Sequence, residues 1–583
     1  MLVWILLSAP AATQLSVWPL AMGTTFSYGI WLLAQWTRDA WLSPTAKRIC
    51  AWVLSPMIAL LWLAASVLYS HFGELFGYGL LRYTSTSGST SGTASGFLTS
   101  YVSWWHVVIW VVCSSLLVRS WGWGPSPQFA HRGRYAAGVA AVLVAIVTAL
   151  YSSGLGPRSG LESSVVTALV GHVIAPTQQS LPTQHPVALS QVEPPQGDLP
   201  DVVLILNESM GRQHLLPYEG TRDTMPALNA WVAKQGDRAQ WFEWAYAPST
   251  TTRLSVPALL TGLGPESDRE TLAKAPMLWN WAKRAGYTTA LVSAQCYTWG
   301  EFDDFFRRQG PDIYEGCHNI DAEITNDAGI DELAVSARFG AIVDRAPRDK
   351  PLLLVYNTNA LHDPYQTRSP TVPGLTDTSR PPYEQALQIV DRALLDLRQA
   401  LARRQREDHT ITMMTSDHGA RPQRAHRPPR VNSFYDEFTR VPLLISVPKS
   451  WAPQQQKLAK QAPTRHVTTP DLTPTLLHWM GLDPSTCTAC PEMTGVGLQD
   501  EVSEDRTLVV INNTPMRVWH HEGFGLIRGP WRMVYSTLES PGLYDVRQDP
   551  QQQQNLWGER PEVQRSLERF IEQRPLLRKM HRP

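Results

Sequence analysis

Three short stretches of the chain hold residues able to do metal chemistry. Glu208 directly follows the apolar run Val202–Leu206, in Asn207-Glu208-Ser209. Asp417 and His418 directly follow a second run, Thr410–Thr415. His362 lies beyond a third, Leu352–Tyr356, in Ala360-Leu361-His362-Asp363-Pro364-Tyr365. Apolar runs separated by helix-like segments read as strands of a mostly parallel sheet, whose sites lie at the C-terminal strand ends. Carboxylates and imidazoles would thus converge on one sheet edge. Ligands of this kind suit Zn²⁺, and oxygen-rich variants suit Mn²⁺, Mg²⁺ or Ca²⁺. A lone His or Glu after a strand is more often a cap or a surface group, so the combination carries the metal reading.

A fourth stretch offers a nucleophile. Ser249-Thr250-Thr251-Thr252-Arg253 precedes an expected helix from Leu254 to Thr261. The amides at a helix N-terminus stabilise an anion. A metal beside a hydroxyl lowers its pKa and makes it a nucleophile at neutral pH. Helix capping accounts for one of the four hydroxyl residues, not for all.

The elements that must position these groups alternate along the chain. After the strand at 202–206 come helix-like stretches at 225–235 and 276–286, then the strand Tyr287–Ser293. The strand at 352–356 is followed by a long amphipathic helix over 383–406. The strand at 410–415 is followed by another at Val441–Val447. This order implies a parallel sheet covered by helices on both faces. Trp241, Trp244, Trp279 and Trp281 read as core residues.

The first third is different in kind. Lys+Arg and Asp+Glu are 51 each in 583 residues, so a globally basic nucleic-acid binder is disfavoured and no nucleic-acid partner is expected. Only 13 of the 102 charged residues fall in residues 1–200. Four stretches there, 16–36, 49–70, 101–118 and 135–152, are near the ~20 residues needed to cross a bilayer. Residues 1–13 would make a fifth span; a cleaved signal peptide fits them poorly, since no basic segment precedes the apolar run.

Arg38, Lys47 and Arg48 lie in one connection, and Arg119, Arg132 and Arg134 in another. The excess of cations on cytoplasmic loops places both inside and everything after about 155 outside. Trp104, Trp105, Trp121 and Trp123 sit at span ends, where interfacial anchors belong. The expected organisation is a transmembrane helical domain over 1–154, a linker over 155–200 and a catalytic domain over 201–583. Cys296, Cys317, Cys487 and Cys490 fall in the outer part, where an even count suggests disulfides. The pairings of shortest reach are Cys296–Cys317 and Cys487–Cys490.

The outer domain resembles the sulfatase branch of the alkaline phosphatase superfamily. The resemblance runs from about 201 to 558. It rests on VVLILNES, MPALNAW, AYAPSTTTRLSVPALLTG, LWNWAKRAGYTTALVS, LHDPY, TSDHG, VPLLISVP, DLTPTLLHWMGL and GLYDVRQDPQQQQNL, in the family's order. With the spans added, the chain is similar to the membrane phosphoethanolamine transferases that act on lipid A. The fold so implied is an N-terminal transmembrane bundle followed by an α/β/α alkaline-phosphatase/sulfatase-like domain with a mostly parallel central sheet.

The resemblance assigns Glu208, Thr250, Asp417 and His418 to a metal, most naturally Zn²⁺. Thr250 takes the nucleophile's place because it stands five residues ahead of Ser255-Val256-Pro257. His362 and His426 match two further catalytic histidines. The implied reaction is ping-pong transfer of a phospho-headgroup from a phospholipid donor, through a phospho-threonine, to lipid A or an envelope glycan. The implied location is a bacterial inner membrane with the catalytic domain in the periplasm.

The sequence departs from that family in places. Its transferases keep a lysine near the phosphate, but no Lys lies between Lys283 and Lys350, which leaves that work to His362, His426 or Arg253. The tail after 540 is more like a sulfatase. Sulfatases use a formylglycine in Cys/Ser-x-Pro-x-Arg, and counting back from Arg253 gives Ser249 with Thr251 in place of proline. Counting from Leu-Leu-Thr-Gly gives Thr252, which cannot become formylglycine. Thr250 therefore ranks ahead of Ser249, and Thr251 and Thr252 behind. Hydrolysis with water as acceptor stays open, as does a lipid sensor with a decayed site. Arg421, Arg424, Arg427 and Arg430 surround His426, as either an anion-binding cluster or a solvated loop.

Overall fold

The computed structural model describes residues 186–581 except 298–301, 308–309, 327–328, 364, 420–433, 504, 513–522 and 537–538, together with 104–121 and scattered positions from 43 to 60. The expected spans 16–36 and 135–152, and His426 with its arginines, lie outside the described residues. The helix Trp104–Trp121 covers most of the expected third span. It exposes Trp104, Trp105, Val108, Ile109, Val111 and Val112. No helix among the described residues is long and apolar enough to cross a membrane.

The centre of the domain is a seven-stranded sheet. Its strands are β1 (Asp201–Asn207), β2 (Ala239–Trp241), β4 (Thr288–Ser293), β5 (Ile313–Glu315), β8 (Leu352–Asn357), β9 (Thr410–Ser416) and β10 (Leu444–Ser446). Between them in sequence lie β3 (Trp244–Tyr246) and the short pair β6 (Ile324–Asn326) and β7 (Gly329–Ile330). The spatial order is β2-β10-β9-β1-β8-β4-β5. The five strands from β9 to β5 are parallel, and β10 runs antiparallel to both β9 and β2.

Alternation along each strand feeds two cores. Val202, Leu204 and Leu206 of β1, with Leu353 and Val355 of β8, face one layer with Trp279 and Trp281 of the helix Leu278–Arg284. Val203 and Ile205, with Leu352, Leu354 and Tyr356, face the other, which the long helix Pro382–Ala402 covers. Strands buried on both faces must be apolar throughout, which is why these runs stand out in the sequence.

β1 is central, and its start is pinned by an ion pair. Arg404, buried just past the long helix, donates from Nε to Asp201 Oδ2 at 2.8 Å, and its other nitrogens reach the carbonyls of Ala346 and Lys350. Asp201 Oδ1 also accepts the Leu352 amide, tying β1 to β8.

A second sheet closes the chain: β12 (Leu508–Ile511), β13 (Gly523–Arg528), β14 (Trp531–Ser536) and β15 (Glu539–Asp545), all antiparallel. It packs on the main domain through Tyr246, Phe434, Tyr435 and Tyr544. Its first strand reaches the hydroxyl-rich loop, where Ile511 N donates to Pro248 O at 3.0 Å. A short strand, β11 (His466–Thr468), pairs with β3 just before that loop. Both cysteine pairs are disulfides, Cys296–Cys317 and Cys487–Cys490.

Removing the Arg404 guanidinium leaves Asp201 charged and buried, with only the Arg406 guanidinium at 3.4 Å and the Leu352 amide as partners among the described residues. Arg404→Ala is expected to cost roughly 3–5 kcal/mol in chemical denaturation. A loss below about 1 kcal/mol would mean that the pair does not anchor β1.

Candidate active site

Glu208 and Asp417 leave the C-terminal ends of the adjacent strands β1 and β9, and His418 follows. The parallel register sets Asn207 beside Ser416, so the next residues emerge side by side. Glu208, Asp417 and His418 offer ligand atoms that all lie within 4.8 Å of one another. Both carboxylates are 1% exposed.

The backbone around them is shaped for the purpose. Ser209 adopts φ 51°, a left-handed conformation costly for a side chain with a Cβ. That bend aims the Ser209 amide at Asp417 Oδ1 at 3.0 Å and its hydroxyl at Glu208 Oε1 at 2.6 Å. Tyr383 holds it by donating to the Ser209 carbonyl. Gly419 ends the Asp-His-Gly triplet because a Cβ there would lie 2.3 Å from the Glu437 carbonyl oxygen.

His418 Nδ1 lies 3.0 Å from the Gly419 carbonyl. A carbonyl only accepts, so Nδ1 carries the proton and Nε2 faces the carboxylates, 3.5 Å from Glu208 Oε1 and from Asp417 Oδ2. Asp417 Oδ1 is satisfied by two amides, while Oδ2 is buried without a hydrogen-bond partner. An orphaned carboxylate oxygen beside an imidazole lone pair and a second carboxylate is the donor set of a divalent cation. The residues present therefore fit a metal.

The hydroxyl at this cluster is Thr252, not Thr250. Thr252 Oγ1 donates to Glu208 Oε2 at 3.1 Å and lies 3.4 Å from His418 Nε2. Thr251 is the N-cap, and the helix runs Thr252–Thr261, starting two residues earlier than its expected Leu254. Thr250 is buried, and its hydroxyl makes no hydrogen bond to the cluster. Ser249 Oγ accepts the Thr251 amide at 3.1 Å, so it shapes the loop. Of the four residues expected to hold the metal, Glu208, Asp417 and His418 bring ligand atoms together, and Thr250 makes no hydrogen bond to them. His362 stands near enough for its charge to act on both Glu208 and His418. Its Nδ1 is held by the Asp363 carbonyl at 2.8 Å.

Sequence reasoning passed over Ser209 and Gln295. Gln295 Nε2 donates to Glu208 Oε2 at 2.6 Å. Its position two residues past β4, on the same sheet edge, was the available signal.

Burial opposes ionisation of Glu208, but the charges of His418 and His362 outweigh it and hold the carboxyl below its usual range. Asp417 is pushed up to about 7, by burial first and by the Glu208 charge second. His418 is raised, because Asp417 and Glu208 overcome the effect of its burial.

A sulfatase family model matches residues 200–482. Residues 200–482 thus carry a sulfatase-family domain. The superfamily fold indicates an enzyme. Among solved structures, an integral membrane protein from Neisseria meningitidis, lipooligosaccharide phosphoethanolamine transferase A (EptA), matches with 16% identity and a TM-score of 0.53. That match covers 78% of this chain and 87% of EptA. Ps i-CgsB, in complex with k-i-k-neocarrahexaose, matches with 16% identity and a TM-score of 0.50, covering 64% of this chain and 92% of its own. At these identities the likeness is one of fold. No curated protein matches the chain.

A cation needs Asp417 ionised and His418 neutral, and both hold protons longer than usual. Affinity for Zn²⁺ is therefore expected to rise at least about tenfold from pH 6 to pH 8 in calorimetric titration. An affinity independent of pH would mean that these two groups do not hold the ion.

Proposed function

We propose that this protein is a metal-dependent phosphotransferase. It moves a phospho-headgroup, phosphoethanolamine, from a phospholipid to lipid A or an envelope glycan through a phosphorylated Thr252. The observation that carries this reading is a threonine hydroxyl set against Glu208 and His418 at a buried two-carboxylate site.

A divalent ion held by Glu208, Asp417, His418 and the Thr252 hydroxyl would make that hydroxyl acidic and neutralise charge on the phosphate. Thr252 stands at the first turn of its helix, where the amides and the helix dipole favour an anion. Thr252 Oγ1 attacks phosphorus as the alkoxide, its proton having already gone to solvent, and the bond to the diacylglycerol oxygen breaks. His362 donates the proton that this leaving oxygen needs. The acceptor hydroxyl then attacks phosphorus, the bond to Thr252 Oγ1 breaks, and His362 takes the acceptor's proton back.

Threonine separates this reading from a sulfatase. Formylglycine is an aldehyde made from Cys or Ser, and oxidising threonine cannot give one. A sulfatase would have to use Ser249, whose hydroxyl is bonded to the Thr251 amide. Hydrolysis, with water replacing the second acceptor, uses the same residues and is the second reading. A degraded sensor is not favoured, because the buried ligands and the hydroxyl are all in place.

The organisation proposed is a membrane domain over 1–154, a linker over 155–200 and a periplasmic catalytic domain over 201–583. The scarcity of charge before residue 200, the apolar exposed side chains of Trp104–Trp121 and the two disulfides support it. EptA's description as a membrane phosphoethanolamine transferase supports the headgroup and the acceptor class.

The test is peptide mapping by mass spectrometry of residues 245–265, on protein purified from phospholipid membranes. A phosphoethanolamine adduct is expected on Thr252, retained in Thr250→Ala and lost in Thr252→Ala. Thr252→Ala should also lower transfer by about a thousandfold or more. Formylglycine at Ser249, or an adduct on Thr250, would overturn the assignment.

A further inference from the structure

Glu208 must present its carboxylate to a cation in one orientation, yet its two oxygens are unequally held. Oε1 accepts the Ser209 hydroxyl at 2.6 Å. Oε2 accepts Thr252 Oγ1 at 3.1 Å, but that hydroxyl is the proposed nucleophile and must leave to react. The remaining donor on Oε2 is the Gln295 amide at 2.6 Å. We infer that Gln295 is a positioning residue, which fixes the Glu208 carboxylate for the cation while Thr252 is engaged in chemistry.

The surroundings of Gln295 suit a fixed donor. It is 1% exposed. Its backbone is locked on both sides, since the amide donates to Ser293 Oγ at 3.0 Å and the carbonyl accepts from the same hydroxyl at 2.9 Å. The next residue, Cys296, is cross-linked to Cys317 beyond β5. Gln295 also bridges to Gly329. A Cβ at Gly329 would lie 2.2 Å from Asn359 Nδ2 and 2.3 Å from the Ala294 carbonyl oxygen, so this contact admits only glycine.

A neutral amide has a specific merit here. It donates a full hydrogen bond to the ligand carboxylate, whereas Lys or Arg would bring a charge that repels the cation. Lys and Arg are indeed absent between Arg284 and Arg307, the segment that carries this residue. Gln295 Oε1 is buried without a hydrogen-bond partner. A side chain that leaves a buried acceptor unsatisfied pays a desolvation cost, so something other than its own stability keeps it there.

The inference rests on the metal reading, and its test separates the two. Zn²⁺ affinity is measured by calorimetry for the full chain, Gln295→Leu and Gln295→Met, beside thermal unfolding of the metal-free proteins. Both variants keep the volume and remove the donor. Each should bind Zn²⁺ about 10–100-fold more weakly, as loss of a hydrogen bond to a ligand does. Their metal-free stability should fall by less than the loss of Zn²⁺ affinity, because removing the unsatisfied acceptor offsets the lost donor to Glu208. Equal Zn²⁺ affinity in a folded variant would overturn the inference alone. Weaker binding matched by an equal loss of metal-free stability would also overturn it, by making Gln295 a packing residue. A parent protein that takes up no Zn²⁺ would overturn the metal reading and this inference together.

Discussion

Two carboxylates buried side by side are the constraint around which this domain is organised. Glu208 and Asp417 lie at the ends of neighbouring parallel strands with almost no access to water. Burial, and after it the repulsion of the Glu208 charge, pushes Asp417 up to about 7. A cation removes the conflict, and so does His418 when it is charged. Several polar contacts at the sheet edge serve this pair. The left-handed turn at Ser209 supplies an amide and a hydroxyl, and Gln295 supplies an amide.

The parallel sheet makes the pair possible. Parallel neighbours end at the same edge, and the register of β1 on β9 brings residue 208 level with residue 417. The third contributor, the hydroxyl, comes from outside the sheet. Its loop is held by β3 on one side and by the start of the C-terminal sheet on the other, through Pro248 and Ile511. The shape of the loop that carries Thr252 thus depends on residues some 260 positions further along the chain. This gives the C-terminal sheet a role in positioning Thr252 as well as in covering the main domain.

The same physics explains what could be read in advance. β1, β4, β8 and β9 are buried on both faces, so their sequences are continuous apolar runs, and their expected ends lie within one or two residues of the observed ones. The long helix has an apolar face at helical spacing, although it stops at Ala402 and not at 406. β2 and β5 pair over three residues each, too short for a pattern. Of the run Val441–Val447 only Leu444–Ser446 is strand. The antiparallel sheet β12–β15 was not anticipated as strands, since its segments mix apolar, charged and glycine residues and order only against one another.

By itself the sequence determined the sheet class and placed Glu208, Asp417 and His418 together at one sheet edge, because burial imposes a composition and a strand end imposes a position. It could not say which hydroxyl meets them. Ser249, Thr250, Thr251 and Thr252 are all good helix caps, so local preference leaves the first turn free to start at any of them. Tertiary structure made that choice by anchoring Pro248 to β12 and capping at Thr251, which turns Thr250 inward and Thr252 toward Glu208. The role of Gln295 was likewise invisible, because a glutamine acquires its meaning from the carboxylate that folding brings to it.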